Sequence, residues 1–162
     1  MTMNHPSASA REQHVLLIER TFNAPPELVF SLWADAKLAQ CWWRPKGYTT
    51  PAFEMDFREG GHYRYCIHKN DAQMWALGVF REIVPGKRLV FSFRWDSGDA
   101  THDADTLITV TFEPMADNTQ TRMAFRQEPF ATAERRDNHT KGWGQVLDAL
   151  DAFVAETLTQ GD

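Results

Sequence analysis

Histidines, cysteines and paired carboxylates are the side chains with which a chain could move protons, attack a carbonyl carbon or hold a metal, and their spacing decides which chemistry is open. His62 and His68 lie an even number of positions apart in a run that reads as strand, so both face one side, opposite Tyr63 and Tyr65. Their six-residue separation spans about 20 Å, too far for two ligands to share one ion through bonds of about 2 Å. The loop His102-Asp103-Ala104-Asp105 offers oxygen and nitrogen donors but lacks the glycine of a calcium loop, and reads as a solvated turn. No metal and no cofactor are expected. Cys41 and Cys66 sit in neither a CxxC nor a zinc-type spacing, and two cysteines cannot build a disulfide framework, so a reducing compartment is expected. Linear spacing shows no Ser-His-Asp or Cys-His constellation.

Six other residues carry chemical content. His139 stands four residues before Trp143 and shares a helix face with it. It is either a polar group at the end of a cavity, available as hydrogen-bond partner or general base, or a histidine tying the start of a helix to a loop carbonyl. Glu82, on an apolar strand beside Phe80, is either a buried carboxylate with a raised pKa or the partner of Arg81, Arg88 or another cation across the sheet. Trp42 and Trp43 are adjacent and cannot point one way from a single helix or strand, so at most one ring is expected to anchor a core while the other takes a rim position. Gly60-Gly61 precedes a strand rather than a helix; it reads as a backbone device at a curved strand and not as a phosphate cradle.

These residues need elements to hold them. His14 to Thr21 contains a branched apolar run and reads as a first strand. Asn23-Ala24-Pro25-Pro26-Glu27 opens a short helix, and Asp35 caps another through about Cys41. From Thr49 to Gln127 the apolar period is two, which predicts strands at 53–57, 62–68, 74–84, 88–95, 106–113 and 121–127. Turn signals separate them, among them Asn70-Asp71, Pro85-Gly86 and Ser97-Gly98-Asp99, and the short links make neighbours antiparallel. Alternation puts Tyr63/Tyr65/Ile67, Leu89/Phe91/Phe93/Trp95 and Ile108/Val110/Phe112 on apolar sides, leaving Arg64, Arg94, Arg122 and Arg126 on a solvated face. From about Ala131 to Thr159 a helix carries Trp143, Val146, Leu147, Leu150, Phe153 and Val154 as one stripe. A one-sided sheet and a one-sided helix must bury against each other, which makes an α+β domain of order β-α-α-β6-α.

With 162 residues the chain is long enough for one domain, expected over 14–159 behind a disordered tail at 1–13. The tail has no apolar segment of signal-peptide or membrane-span type, and a cytoplasmic location without a membrane span is expected. Seventeen Lys and Arg against 22 Asp and Glu give a charge of -5, which disfavours a nucleic-acid partner.

Several runs together resemble a known family: Ile18-Glu19-Arg20-Thr21-Phe22-Asn23-Ala24-Pro25, then Trp42-Trp43-Arg44-Pro45-Lys46-Gly47-Tyr48, then Gly60-Gly61-His62-Tyr63-Arg64-Tyr65. They continue with Gly78-Val79-Phe80-Arg81-Glu82-Ile83-Val84-Pro85-Gly86-Lys87-Arg88-Leu89-Val90-Phe91 and His139-Thr140-Lys141-Gly142-Trp143. In this order they are similar to the heat-shock protein 90 ATPase activator homologues of the START-like (SRPBCC) superfamily. The resemblance implies a helix-grip fold, a curved antiparallel sheet wrapped around the long C-terminal helix, with a cavity between them that in relatives accepts apolar or amphipathic ligands. Alanine stands after Asp35 where the family often has proline, and Pro85-Gly86 replaces a frequent double proline.

The function expected from this is a binding domain holding a small apolar or aromatic molecule. The site is expected at Trp42, Trp43, Tyr65, Phe91, Phe93, Ile108, Val110, Met123, Phe125, His139, Trp143 and Leu147. Two alternatives stand beside it, a small enzyme of cyclase, hydrolase or isomerase type using His139 or Glu82, and a cochaperone-like regulator of an ATPase. A homodimer stays open.

Overall fold

Apolar residues at every second position bury only when strands share one covered face, and the chain's elements follow from that requirement. The computed structural model describes residues 14–96 and 105–160. In chain order the elements are β1 (Leu16–Phe22), α1 (Pro26–Ser31), α2 (Ala36–Trp42), β2 (Thr49–Met55), β3 (His62–Lys69), β4 (Ala72–Val84), β5 (Arg88–Trp95), β6 (Thr106–Met115), β7 (Gln120–Glu128) and α3 (Ala133–Gln160). The expectations for the tail 1–13, the Ser97-Gly98-Asp99 turn and His102-Asp103-Ala104 lie outside the described residues.

The seven strands form one antiparallel sheet in the order β1-β7-β6-β5-β4-β3-β2. It curves around α3, and the architecture is the α+β helix-grip arrangement. The residues assigned by alternation to the covered face are there: Tyr63, Tyr65, Ile67, Leu89, Phe91, Phe93, Ile108, Val110 and Phe112 are all buried. On the other face Arg94 pairs with Asp105, Arg122 with Glu19 and Arg126 with Glu128, and the Arg64 guanidinium lies 3.8 Å from the Trp75 ring centre.

Strand β2 begins at Thr49, four residues before the position that period two suggests. Pro51 hides the strand from a propensity reading, and a proline is tolerated there because β2 is an edge strand. The pairing with β3 shifts register between Thr49 and Ala52.

Two glycines permit the curvature. Gly60 has φ of +86°, a left-handed conformation that favours glycine, and its amide bonds Phe80 O at 2.8 Å. Gly78 pairs with Tyr63, whose ring covers it, and any side chain at 78 would collide with the Ser92 carbonyl oxygen. That close approach lets the Tyr63 phenol reach across and donate to the same Ser92 oxygen at 2.7 Å.

The helices are fixed by local polar contacts. Asp35 caps α2, its carboxylate accepting from the amides of Lys37 and Leu38, and the Thr132 hydroxyl accepts the Arg135 amide at the start of α3. Helix α3 buries Trp143, Val146, Leu147, Leu150 and Val154. Arg20 of β1 holds its outer side through Asp148 at 2.6 Å and the Gly144 carbonyl at 3.2 Å. No helix among the described residues is long and apolar enough to cross a membrane.

Candidate ligand cavity

Helix α2 ends at Trp42, and Trp43 leaves the helical conformation with φ −81° and ψ 72°. That break overturns the expectation that one ring stays at a rim. Both rings turn inward, Trp42 0 % and Trp43 4 % exposed, and they stack with centroids 5.2 Å apart. Adjacent residues share a direction here because they no longer share one helix. The Trp42 indole donates to the Leu32 carbonyl at 3.0 Å, and the Thr50 hydroxyl holds the Trp43 carbonyl at 2.8 Å.

A cavity of about 350 Å³ opens beside Trp43, between the first half of α3 and the β3 side of the sheet. Its floor is Tyr65 and Ile67 of β3 with Met74 of the neighbouring β4 and Trp95 at the end of β5. Helix α3 contributes Asn138, His139, Gly142, Trp143 and Val146, and the segment after α2 adds Pro45 and Tyr48. No Lys, Arg, Asp or Glu lines it.

Of the residues expected at the site, Trp43, Tyr65, His139 and Trp143 reach this wall. Trp42, Phe91, Ile108, Val110, Met123, Phe125 and Leu147 do not; they are packed in the core. Phe93 borders a separate niche of about 60 Å³ next to Gln127. The reason is volume. Trp143 sits 4.8 Å from Phe125 and 5.5 Å from Phe93, and Trp33 4.8 Å from Trp42, so aromatic rings close the space under the helix and leave only its N-terminal half unfilled.

Gly142 was the most informative residue that sequence reasoning missed. A side chain added there would meet nothing within 4 Å. Glycine in a helix interior costs roughly 0.5–1 kcal/mol relative to alanine, and here it lines the cavity with open space where a side chain would begin. Trp95, at the end of an alternating run, was legible as an inward residue but not as a cavity wall.

The polar groups of the wall are mostly committed. His139 accepts the Trp95 indole N–H at Nε2, 3.1 Å, and its Nδ1 lies 2.8 Å from the Arg135 carbonyl. An indole only donates and a carbonyl only accepts, so the ring is the neutral Nδ1–H tautomer. Burial lowers its pKa, with the Arg135 charge acting in the same direction and the carbonyl bond opposing. A histidine with both nitrogens engaged has no free lone pair with which to act as a general base. The carbonyl belongs to its own helix and not to a loop.

The Trp143 indole donates to Gln127 Oε1 at 2.8 Å, Gln127 Nε2 to the Thr106 hydroxyl at 2.8 Å, and that hydroxyl to the Phe93 carbonyl at 2.9 Å. This chain ties α3 to β7, β6 and β5 through a glutamine that is fully buried. Glu82 is half exposed and bonds Arg88 at 2.9 Å away from the cavity, so of its two readings cross-strand pairing is the one the structure has. Among the described residues no three His, Cys, Asp or Glu side chains converge on one point.

Comparison with known proteins places this architecture. A protein from Chromobacterium violaceum of solved structure is 28 % identical, with a TM-score of 0.79, covering 88 % of this chain and 97 % of that one. A Rhizobium leguminosarum protein is 25 % identical with a TM-score of 0.74, covering 88 % and 94 %. A Silicibacter pomeroyi protein shares the fold at 23 % identity, with a TM-score of 0.75 over 87 % and 97 %. No curated protein matches at a significant level. The family model described as Activator of Hsp90 ATPase homolog 1-like protein matches residues 23–155, and the chain belongs to that family.

Proposed function

We propose that the protein is a binding module that holds a small apolar or aromatic molecule in the cavity beside Gly142, without covalent chemistry. The observation that carries this is the wall itself: mostly aromatic and aliphatic side chains with Asn138 and His139 as polar members, no charged group, and an unfilled volume of about 350 Å³ with open space at Gly142. That volume lies within the usual range for small-molecule sites, about 300–1,000 Å³, and the predominance of aromatic walls is typical of them. The enzyme alternative loses its named residues, since His139 is engaged at both nitrogens and Glu82 is paired elsewhere. The activator role named by the family is a property of its namesake, and no feature of this cavity favours it here.

The test is titration with the neutral fluorophore N-phenylnaphthylamine. Saturable binding with one site is expected, and it should vanish in Gly142→Leu, whose isobutyl group enters the cavity while the helix keeps its register. The absence of a saturable response in the wild type, or undiminished binding in a folded Gly142→Leu protein, overturns the assignment.

A further inference from the structure

Two neighbouring tyrosines on β3 are used in different ways. The Tyr63 phenol is buried and donates to the Ser92 carbonyl at 2.7 Å. Tyr65 is 2 % exposed and lines the cavity, and its phenol oxygen has the Trp43 indole as a polar neighbour. Beside it the Trp43 indole N–H is buried without an acceptor at hydrogen-bonding geometry, though it lies near enough to the phenol oxygen to favour its ionised form against the effect of burial. Buried donors are almost always paired in folded proteins, so the buried Trp43 N–H, with the Tyr65 hydroxyl beside it at the cavity wall, marks a place where something else completes the set.

The chemistry of that missing partner is constrained. An indole N–H can only donate, whereas a phenol accepts and donates at once. The Tyr65 oxygen can therefore take the Trp43 N–H and pass its own O–H into the cavity, each bond strengthening the other. What the corner lacks is an acceptor. The remaining buried polar groups on the wall do not compete, because the Trp95 and Trp143 indoles and both nitrogens of His139 are already bonded. With no cation on the wall, an anionic acceptor would be desolvated without compensation. Flat rings from Trp43, Tyr65, Trp95 and Trp143 surround the space and favour a flat occupant.

We infer that the Trp43–Tyr65 corner reads a neutral oxygen acceptor, of ketone, amide or ether type, carried on the ring of a flat ligand. This rests on the cavity being the ligand site and adds to it the ligand's polar signature.

Indanone and indane separate the two, since they share a shape and differ in one carbonyl. Their affinities, with that of indane carboxylate, are measured by calorimetry for the wild type and for Tyr65→Phe. The variant keeps the ring and deletes the hydroxyl that takes the Trp43 N–H, and indane binding reports that the cavity itself is retained. The expected result is that Tyr65→Phe weakens indanone by about three- to tenfold, the worth of one neutral hydrogen bond, and leaves indane within about twofold. Equal effects on both compounds, no effect on either, or a carboxylate that binds the wild type more tightly than the ketone would overturn the inference while leaving the cavity assignment standing. If neither indane nor indanone binds the wild type, the cavity assignment itself falls. The Trp43 indole proton resonance gives a second reading: it should move more with indanone than with indane, and equal movement counts against the relay.

Discussion

The Trp95 indole N–H points at Nε2 of His139, 3.1 Å away, and so joins the end of β5 to the first turns of α3 through an aromatic nitrogen that must stay unprotonated. Protonation of Nε2 would set two donors face to face. Because burial lowers the folded-state pKa below the unfolded value near 6.5, the unfolded chain takes up a proton first as the pH falls. Stability from this histidine is therefore full above about pH 6.5 and declines as the pH drops toward the folded-state pKa. Urea midpoints measured at about pH 7.5 and about pH 5.5 should fall more in the wild type than in His139→Gln. Equal slopes would mean that His139 is not held neutral.

Trp95→Phe removes the donor that opposes protonation. The His139 pKa followed by proton NMR should rise relative to the wild type, and an unchanged or lower value would show that the indole does not oppose protonation.

Gln127 satisfies a Trp on one side and a Thr on the other. Gln127→Leu keeps the volume but strands the Trp143 indole, and the expected loss is about 1–3 kcal/mol in urea denaturation, the cost of a buried donor without a partner. Trp143→Phe in the same background should recover part of that loss, because the stranded group is then gone.

Leu147 and Gly142 lie on one helix with opposite expectations. Leu147 is fully buried, and Leu147→Ala should cost about 2–5 kcal/mol. Gly142→Leu should leave stability unchanged or raise it by up to about 1 kcal/mol, since helix propensity improves and nothing is displaced. A destabilised Gly142→Leu would show that the space is already filled.

Gly78→Ala tests the curvature. Its methyl group would meet the Ser92 carbonyl and stand 2.6 Å from the Tyr63 ring, both held in place by the Tyr63 hydrogen bond. The expected loss is about 3 kcal/mol, the upper end for overpacking. A near-neutral result would mean that β4 and β5 can separate there at little cost.

The strands and their faces were legible because period two survives from β3 to β7, and the covered side of each followed from it. The N-cap at Asp35 and the stripe on α3 were equally readable. The cavity was harder. Tyr65, His139 and Trp143 declared themselves as inward or polar residues near one end, but alternation cannot tell a residue that fills space from one that borders it. Phe91, Phe125 and Met123 face the same way as Tyr65 and are simply covered by other rings. Gly142 figured only within the family-like run from His139 to Trp143, since an absent side chain contributes nothing to a hydrophobic pattern. The inward turn of Trp43 depends on where α2 stops, and helix ends are set by a residue or two of local geometry that a hydrophobic pattern does not carry.

The irregular start of β2 bears on how the molecule meets copies of itself. A sheet that does not close exposes two borders, and a straight border with every donor and acceptor available invites another chain to extend it. On the β2 border Pro51 supplies no N–H and the slip between Thr49 and Ala52 breaks the repeat, so an incoming strand finds no continuous template. Growth into ribbons or fibrils is thereby discouraged at this side by the same proline that hides the strand in the sequence.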